Sequence, residues 1–167
     1  MITYSAPAAS HLAHREGLEQ LRRDYMLQII ADSASRRSPL RVAPYVLAHT
    51  VTERREDLAL IKSYAVDEMG WQVTDCSFAD AGQPPPLEAR RGFEEAWRYA
   101  AQGFAHGILA IARPVITTDA EAYGRVLEHL YSRRLFLAFL PGTGAMTTGE
   151  ACPLSSGVER PSPGAPA

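Results

Sequence analysis

Lysine is nearly absent from this chain of 167 residues: Lys62 stands alone among 17 lysine and arginine residues. A phosphate-binding P-loop needs Gly-Lys-Ser/Thr between a strand and a helix, and Lys62 falls inside a helical stretch, so that site is excluded. No glycine follows the first apolar stretch, which continues as "LAHTVTE", so the G-x-G-x-x-G turn of a dinucleotide site is missing too. The glycine-rich "GTGAMTTG" at 142–149 has no lysine and no helix after it, and reads as tail rather than phosphate cradle. Basic excess is also lacking: the net charge is −2 and the pI about 6.2, which argues against a nucleic-acid-binding surface. The longest apolar run, "GILAIA" at 107–112, is far too short to cross a bilayer. Two cysteines, Cys76 and Cys152, form no C-x-x-C pair, so neither a zinc knuckle nor a redox motif is available. They read as reduced thiols, Cys76 as a packed strand residue. His11 and His14 share a helix face, but no carboxylate or cysteine pattern accompanies them, and no metal or other cofactor is expected. The opening "MITYSAPAASHLAHRE" has neither a basic n-region nor an apolar h-region, so a cytoplasmic chain without a membrane anchor is expected.

What the sequence does contain is alternation. Residues 14–34 carry Leu18, Leu21, Tyr25, Leu27, Ile29 and Ile30 at mostly helical spacing, an amphipathic helix within an N-terminal extension over 1–40. From Arg41 on, strands alternate with helices. "LRVAPYVLA" is a first strand, with Pro44 awkwardly inside it. A helix over 52–70 follows, with Thr52 as N-cap and Gly70 as stop. "WQVTDCSFAD" is a second strand, and a helix over 87–103 ends at Gly103. "GILAIA" is a third strand, "TTDAEAYGRVLEHLYSRR" a helix capped by Thr117 or Thr118, and "LFLAFL" the last strand. This pattern predicts an α/β fold: a three-layer domain over 41–140 with a mostly parallel four-stranded sheet and helices on both faces. The extra N-terminal helix is expected to cover a sheet edge or helix face, or to pair with a second copy or another protein. Residues 141–167, rich in Gly, Pro, Ser and Thr, are expected to be a disordered tail.

In open parallel sheets the functional residues gather where strands end. Here those ends carry His49-Thr50, Ser77 to Asp80, Arg113 and the Pro141-Gly142 turn. Asp80 reads first as a turn residue and second as an acid or base. Arg90 and Arg91 open a helix, where a cation is unfavourable against the helix dipole unless an anion or carboxylate lies near, or the pair is simply solvated.

Residues 41–140, taken in order, resemble the catalytic domain of the resolvase/invertase family of serine recombinases. The phrases that carry the likeness are "YVLAHT", "LIKSYAVDEMGWQV", "FADAG", "ARRGFEEAWRYAAQG", "GILAIARPVITTD" and "YGRVLEHLYSRRLFLAFL". The resemblance implies site-specific DNA recombination and integration, in which a serine attacks a DNA phosphodiester and arginines neutralise the charge on phosphorus.

Matched residue by residue, that chemistry is mostly gone. Tyr45 keeps the family's tyrosine, but Leu47 stands where it has an arginine and His49 where it has the nucleophilic serine, with Thr50 next to it. The family's Leu-Asp-Arg-Leu-x-Arg becomes Pro114-Val115-Ile116-Thr117-Thr118-Asp119, which removes the aspartate at Val115 and the arginines at Ile116 and Asp119. Arg90 and Asp80 match retained positions, while Arg113 falls just before the motif. Each lost phosphate-binding donor costs roughly 3–4 kcal/mol of transition-state stabilisation. The Gly/Pro/Ser/Thr-rich stretch after Leu140 offers no pattern for the family's long helix or its helix-turn-helix domain, and neither is expected in it. The expectation is a pseudoenzyme acting in protein interaction or regulation. One alternative is a DNA-recombination component completed by another chain, with DNA contact implied by the resemblance and not by charge. Another is a small α/β enzyme sharing only the architecture.

Overall fold

The stretch that reads as the first strand runs through the middle of a parallel sheet. The computed structural model describes residues 7–82 and 86–142, with side chains from residue 14 onward. The side chain of His11, Cys152 and the tail from 143 lie outside the described residues. In chain order the elements are α1 (Pro7–Ser35), β1 (Arg41–Ala48), α2 (Val51–Ser63), β2 (Gln72–Val73), β3 (Phe78–Ala81), α3 (Arg91–Tyr99), β4 (Gly107–Ala110), α4 (Arg113–Ile116), α5 (Ala120–Ser132) and β5 (Phe136–Phe139). Beside β1 on one side lie β2 and then β3; on the other come β4 and β5, and every pairing is parallel.

Strand side chains alternate between two helical layers, as a sheet buried on both faces requires. Ala43, Tyr45, Ile108, Ala110 and Leu137 face α3 and α5, packing on Phe93, Tyr123 and Leu127. Val42, Val46, Leu109, Phe136 and Ala138 face the opposite layer, where Ile61 and Ala65 pack. The three-layer α/β arrangement is therefore present. Among the described residues no helix is long and apolar enough to cross a membrane.

The expected second strand is two strands in succession. Val42 pairs with Val73 and Tyr45 with Phe78, so five residues on the edge span three on β1, and Thr74–Ser77 bulge out between them. Pro44 sits beside this gap. The Val42 carbonyl accepts from the Thr74 N–H at 3.0 Å, and strand residues two apart point the same way, so Pro44 lacks its N–H on the side where the neighbouring strand is interrupted. Cys76 belongs to the bulge and is exposed, which corrects its reading as a packed strand residue.

Two helix caps also differ from expectation. Thr50, not Thr52, caps α2, its Oγ1 accepting from the Glu53 N–H at 3.1 Å. Asp119, not Thr117 or Thr118, caps α5, its Oδ1 accepting from the Ala122 N–H at 2.7 Å. In each case the cap is the last extended residue before the helix, as side-chain access to the first amides demands. The expected stops do hold: Gly70 and Gly103 take left-handed backbone, at φ 65° and 94°.

Helix α1 lies along the outer edge of β5 and reaches both layers. Leu18 and Tyr25 pack against one core, Met26, Ile29 and Ile30 against the other. Tyr25 stacks on Tyr131 of α5 with ring centroids 3.7 Å apart. The unpaired Leu137 carbonyl on the β5 edge accepts from Arg22 Nη1 at 3.1 Å, although that arginine is only 8% exposed. Glu19 holds Arg22 Nε at 3.0 Å and accepts from the Tyr123 hydroxyl at 2.8 Å. Burial, reinforced by that carboxylate, pushes the Tyr123 phenol far above its ordinary range. A sheet edge that would invite pairing is thus closed by a helix, and the cation that closes it is itself neutralised. The Ile29→Ala variant is expected to lose about 2–4 kcal/mol of unfolding free energy in urea titration. A loss below about 0.5 kcal/mol, the range of surface substitutions, would show that α1 is not part of the core.

Candidate functional site

Where the strands end, the polar side chains are engaged with backbone more than with each other. Asp80, on β3, is the centre. Its Oδ1 accepts from the Gly92 N–H at 2.9 Å, and its Oδ2 accepts from the Phe93 N–H and the Tyr45 hydroxyl, each at 2.9 Å. Gly92 and Phe93 belong to the first turn of α3, whose preceding residue, Arg90, makes no side-chain cap. A strand carboxylate therefore caps a helix from a distance, where two orphan amides and the helix dipole both favour negative charge.

Arg90 is the second fixed group. It is 6% exposed, its Nη1 donates to the Val115 carbonyl of α4 at 2.7 Å, and its guanidinium also lies beside the Tyr45 hydroxyl. The expectation of a nearby carboxylate or anion for this cation is answered by a neutral carbonyl and by the Asp80–Tyr45 pair. Burial dominates at Tyr45 and holds its phenol well above the ordinary range, with Arg90 opposing and Asp80 adding to the rise. A tyrosine so placed keeps its proton and serves as a hydrogen-bond donor.

The other matched positions carry no phosphate-binding group. Leu47 is half-buried beside Asp80 in the β1–β3 register. Ile116 is wholly buried in the core. Asp119 is exposed and caps α5. Val115 contributes its carbonyl to Arg90. His49 and Thr50 are exposed at the start of α2, where the Thr50 hydroxyl is the cap and the His49 N–H donates to Glu53 Oε2 at 2.6 Å. The structure thus brings Tyr45, Asp80, Arg90 and Val115 together, and sets Thr50 and Asp119 to capping separate helices.

Two features escaped the sequence reading, and Arg113, placed there at a strand end, had no role assigned. Glu53, three residues after the cap Thr50, accepts from the His49 N–H just before the cap, a variant of the Thr-x-x-Glu pattern that is visible in the sequence. Gly82 and Gly92 are both close-approach positions: the His49 ring lies over Gly82, and the Ala79 carbonyl lies against Gly92. No local pattern announces either. Arg113, after β4, lies over the Tyr123 ring at 4.2 Å, and its Nε and Nη2 are buried with no hydrogen-bond partner.

Two cavities flank the helices and the far end of the sheet. One of about 440 Å3 separates α3 from α5, and one of about 490 Å3, lined by Arg41, Trp71, Tyr99 and Phe104, lies at the opposite end of the sheet from the Asp80 cluster. No group of three or more His, Cys, Asp or Glu able to hold a metal occurs among the described residues. Comparison with known proteins returned no matching family model, no matching curated protein and no matching solved structure.

The two glycines separate rigid from yielding surroundings. In Gly92→Ala the new Cβ would stand 2.3 Å from the Ala79 carbonyl oxygen, so backbone must shift. A loss of about 2–4 kcal/mol is expected, in the range of severe overpacking. In Gly82→Ala the clash is with the exposed His49 ring at 2.2 Å, which can swing into solvent, and a loss of about 1 kcal/mol or less is expected. Thermal and urea unfolding of the two variants check the order; a reversed order would contradict the described packing.

Proposed function

We propose that this chain is a catalytically silent domain of resolvase/invertase type, working in the cytoplasm through protein interaction or regulation. The observation that carries this reading is the engagement of Arg90 and Asp80. The one matched arginine binds a backbone carbonyl, and the one matched carboxylate caps α3. Attack on a phosphodiester by His49 or Thr50 would meet Leu47 and Ile116 where charge must be neutralised, and the carboxylate of Asp119 nearby in the same motif. At roughly 3–4 kcal/mol for each missing donor, strand exchange would slow by several orders of magnitude. Pairing through the N-terminal helix remains compatible with this reading if it uses the outer face of α1, where Leu27 is 59% exposed, since the inner face is taken by β5 and α5.

A second reading has one observation in its favour. Nε and Nη2 form the edge of a guanidinium that takes a phosphate by two parallel bonds, and on Arg113 that edge has no partner; it is also buried, so a phosphate would reach it only if the segment around α4 moved aside. A DNA-recombination component in which Arg113 supplies one cation and another chain the rest would use it.

Incubation with supercoiled DNA at low salt separates the readings. The silent domain gives neither nicking nor a covalent protein–DNA product. A covalent product that disappears in Thr50→Ala or His49→Ala would overturn it. Salt-sensitive binding without cleavage that weakens in Arg113→Ala would establish the second reading instead.

A further inference from the structure

The groove between α3 and α5 is apolar at its floor and oppositely charged at its two sides. Phe93 and Leu130 are buried beneath it, with Trp97 half-buried between them. On the α3 side it is lined by Glu88 and Glu94, on the α5 side by Arg125 and His129. These walls do not close on each other. Glu94 pairs with Arg98 in its own helix, and Arg125 reaches Glu121 in its own helix at 3.5 Å. Trp97 is held in place from α5, with the His129 ring stacked on it at 4.7 Å and the Arg133 guanidinium at 5.8 Å.

What covers such a groove must bring an apolar ridge with both signs of charge beside it. It must also satisfy its own backbone, because α3 and α5 offer no free ladder of N–H and C=O groups to an extended segment. A second copy presenting either helix does not qualify. The outer face of α5 carries Glu121, Arg125 and Glu128, and that of α3 carries Arg91, Glu94 and Glu95, all exposed, so neither offers an apolar ridge. We propose that this groove docks an amphipathic α-helix of a partner protein, with basic residues along the edge that meets Glu88 and Glu94 and acidic residues along the edge that meets Arg125 and His129. The inference is independent of whether the strand ends are silent, since an active enzyme could carry the same groove.

Three labelled helical peptides of about 18 residues, roughly 27 Å long, test it by fluorescence anisotropy with the intact chain at low salt. All share a leucine ridge at i, i+3, i+4 and i+7; their flanks are lysine on one side and glutamate on the other, lysine on both, or glutamate on both. The mixed peptide is expected to bind at least tenfold more tightly than either uniform one. The Arg125→Glu variant makes both walls acidic at an exposed position and should shift the preference to the peptide with lysine on both flanks. Equal binding of all three peptides, no binding, or a preference unmoved by Arg125→Glu would overturn the proposal. So would competition by a second copy, seen as concentration-dependent dimer in sedimentation, or binding that emerges only once residues 143–167 are removed, which would assign the groove to the chain's own tail.

Discussion

Much of the strand-end architecture hangs on one carboxylate. Asp80 receives a hydroxyl from β1 and two amides from α3 while sitting on β3 itself, so one side chain ties three elements. Charge-assisted hydrogen bonds of this kind are the stronger class, and their donors would be costly to leave buried and unmet. The close approach of Gly92 to the Ala79 carbonyl follows from it, because α3 must come in tight for its amides to reach. Arg90 then extends the cluster to α4 through the Val115 carbonyl. A carboxylate receiving three donors is poorly placed to shuttle a proton, and this is why the cluster reads as architecture.

The alternation of strands and helices was legible from residue 41 onward because it rests on local pattern, with "GILAIA" and "LFLAFL" apolar enough to be buried on both faces. Gly70 and Gly103 marked helix ends for a reason internal to each residue. What local pattern could not convey was anything set by a partner far along the chain. The edge strand breaks in two opposite Pro44 of β1, a pairing across the sheet that no local pattern in the edge strand reveals. Asp80 became the cap of a helix twelve residues away, and no spacing rule links a strand aspartate to such a turn. The caps at Thr50 and Asp119 each lay outside the expected residue, and the Thr-x-x-Glu pattern at 50–53 would have placed the first. For α1, amphipathicity showed that something was covered; only the fold showed it to be the β5 edge, with Arg22 on the Leu137 carbonyl.

The candidate site was legible as a set of positions and not as a set of roles. Tyr45, Asp80 and Arg90 come together at the strand ends. Yet their hydrogen bonds run to amides, a carbonyl and one another. The groove between α3 and α5, built from residues that a binary pattern assigns simply to helix faces, instead combines an apolar floor with walls of opposite sign, their Glu94 and Arg125 each ion-paired within its own helix and not across the groove. The groove and the strand-end cluster meet on α3, where Phe93 lines the groove and gives its N–H to Asp80.

Tyr45, Asp80 and Arg90 at the strand ends hold the fold together through their hydrogen bonds. Equilibrium unfolding of Arg90→Met tests it most directly, because this substitution keeps the length and apolar stem of a buried side chain while removing its donors. A loss of about 1–3 kcal/mol is expected, from the unmet Val115 carbonyl and the disturbed Asp80–Tyr45 pair. Stability that is unchanged or raised would contradict it, since removing a residue retained for function commonly leaves a protein as stable or more so.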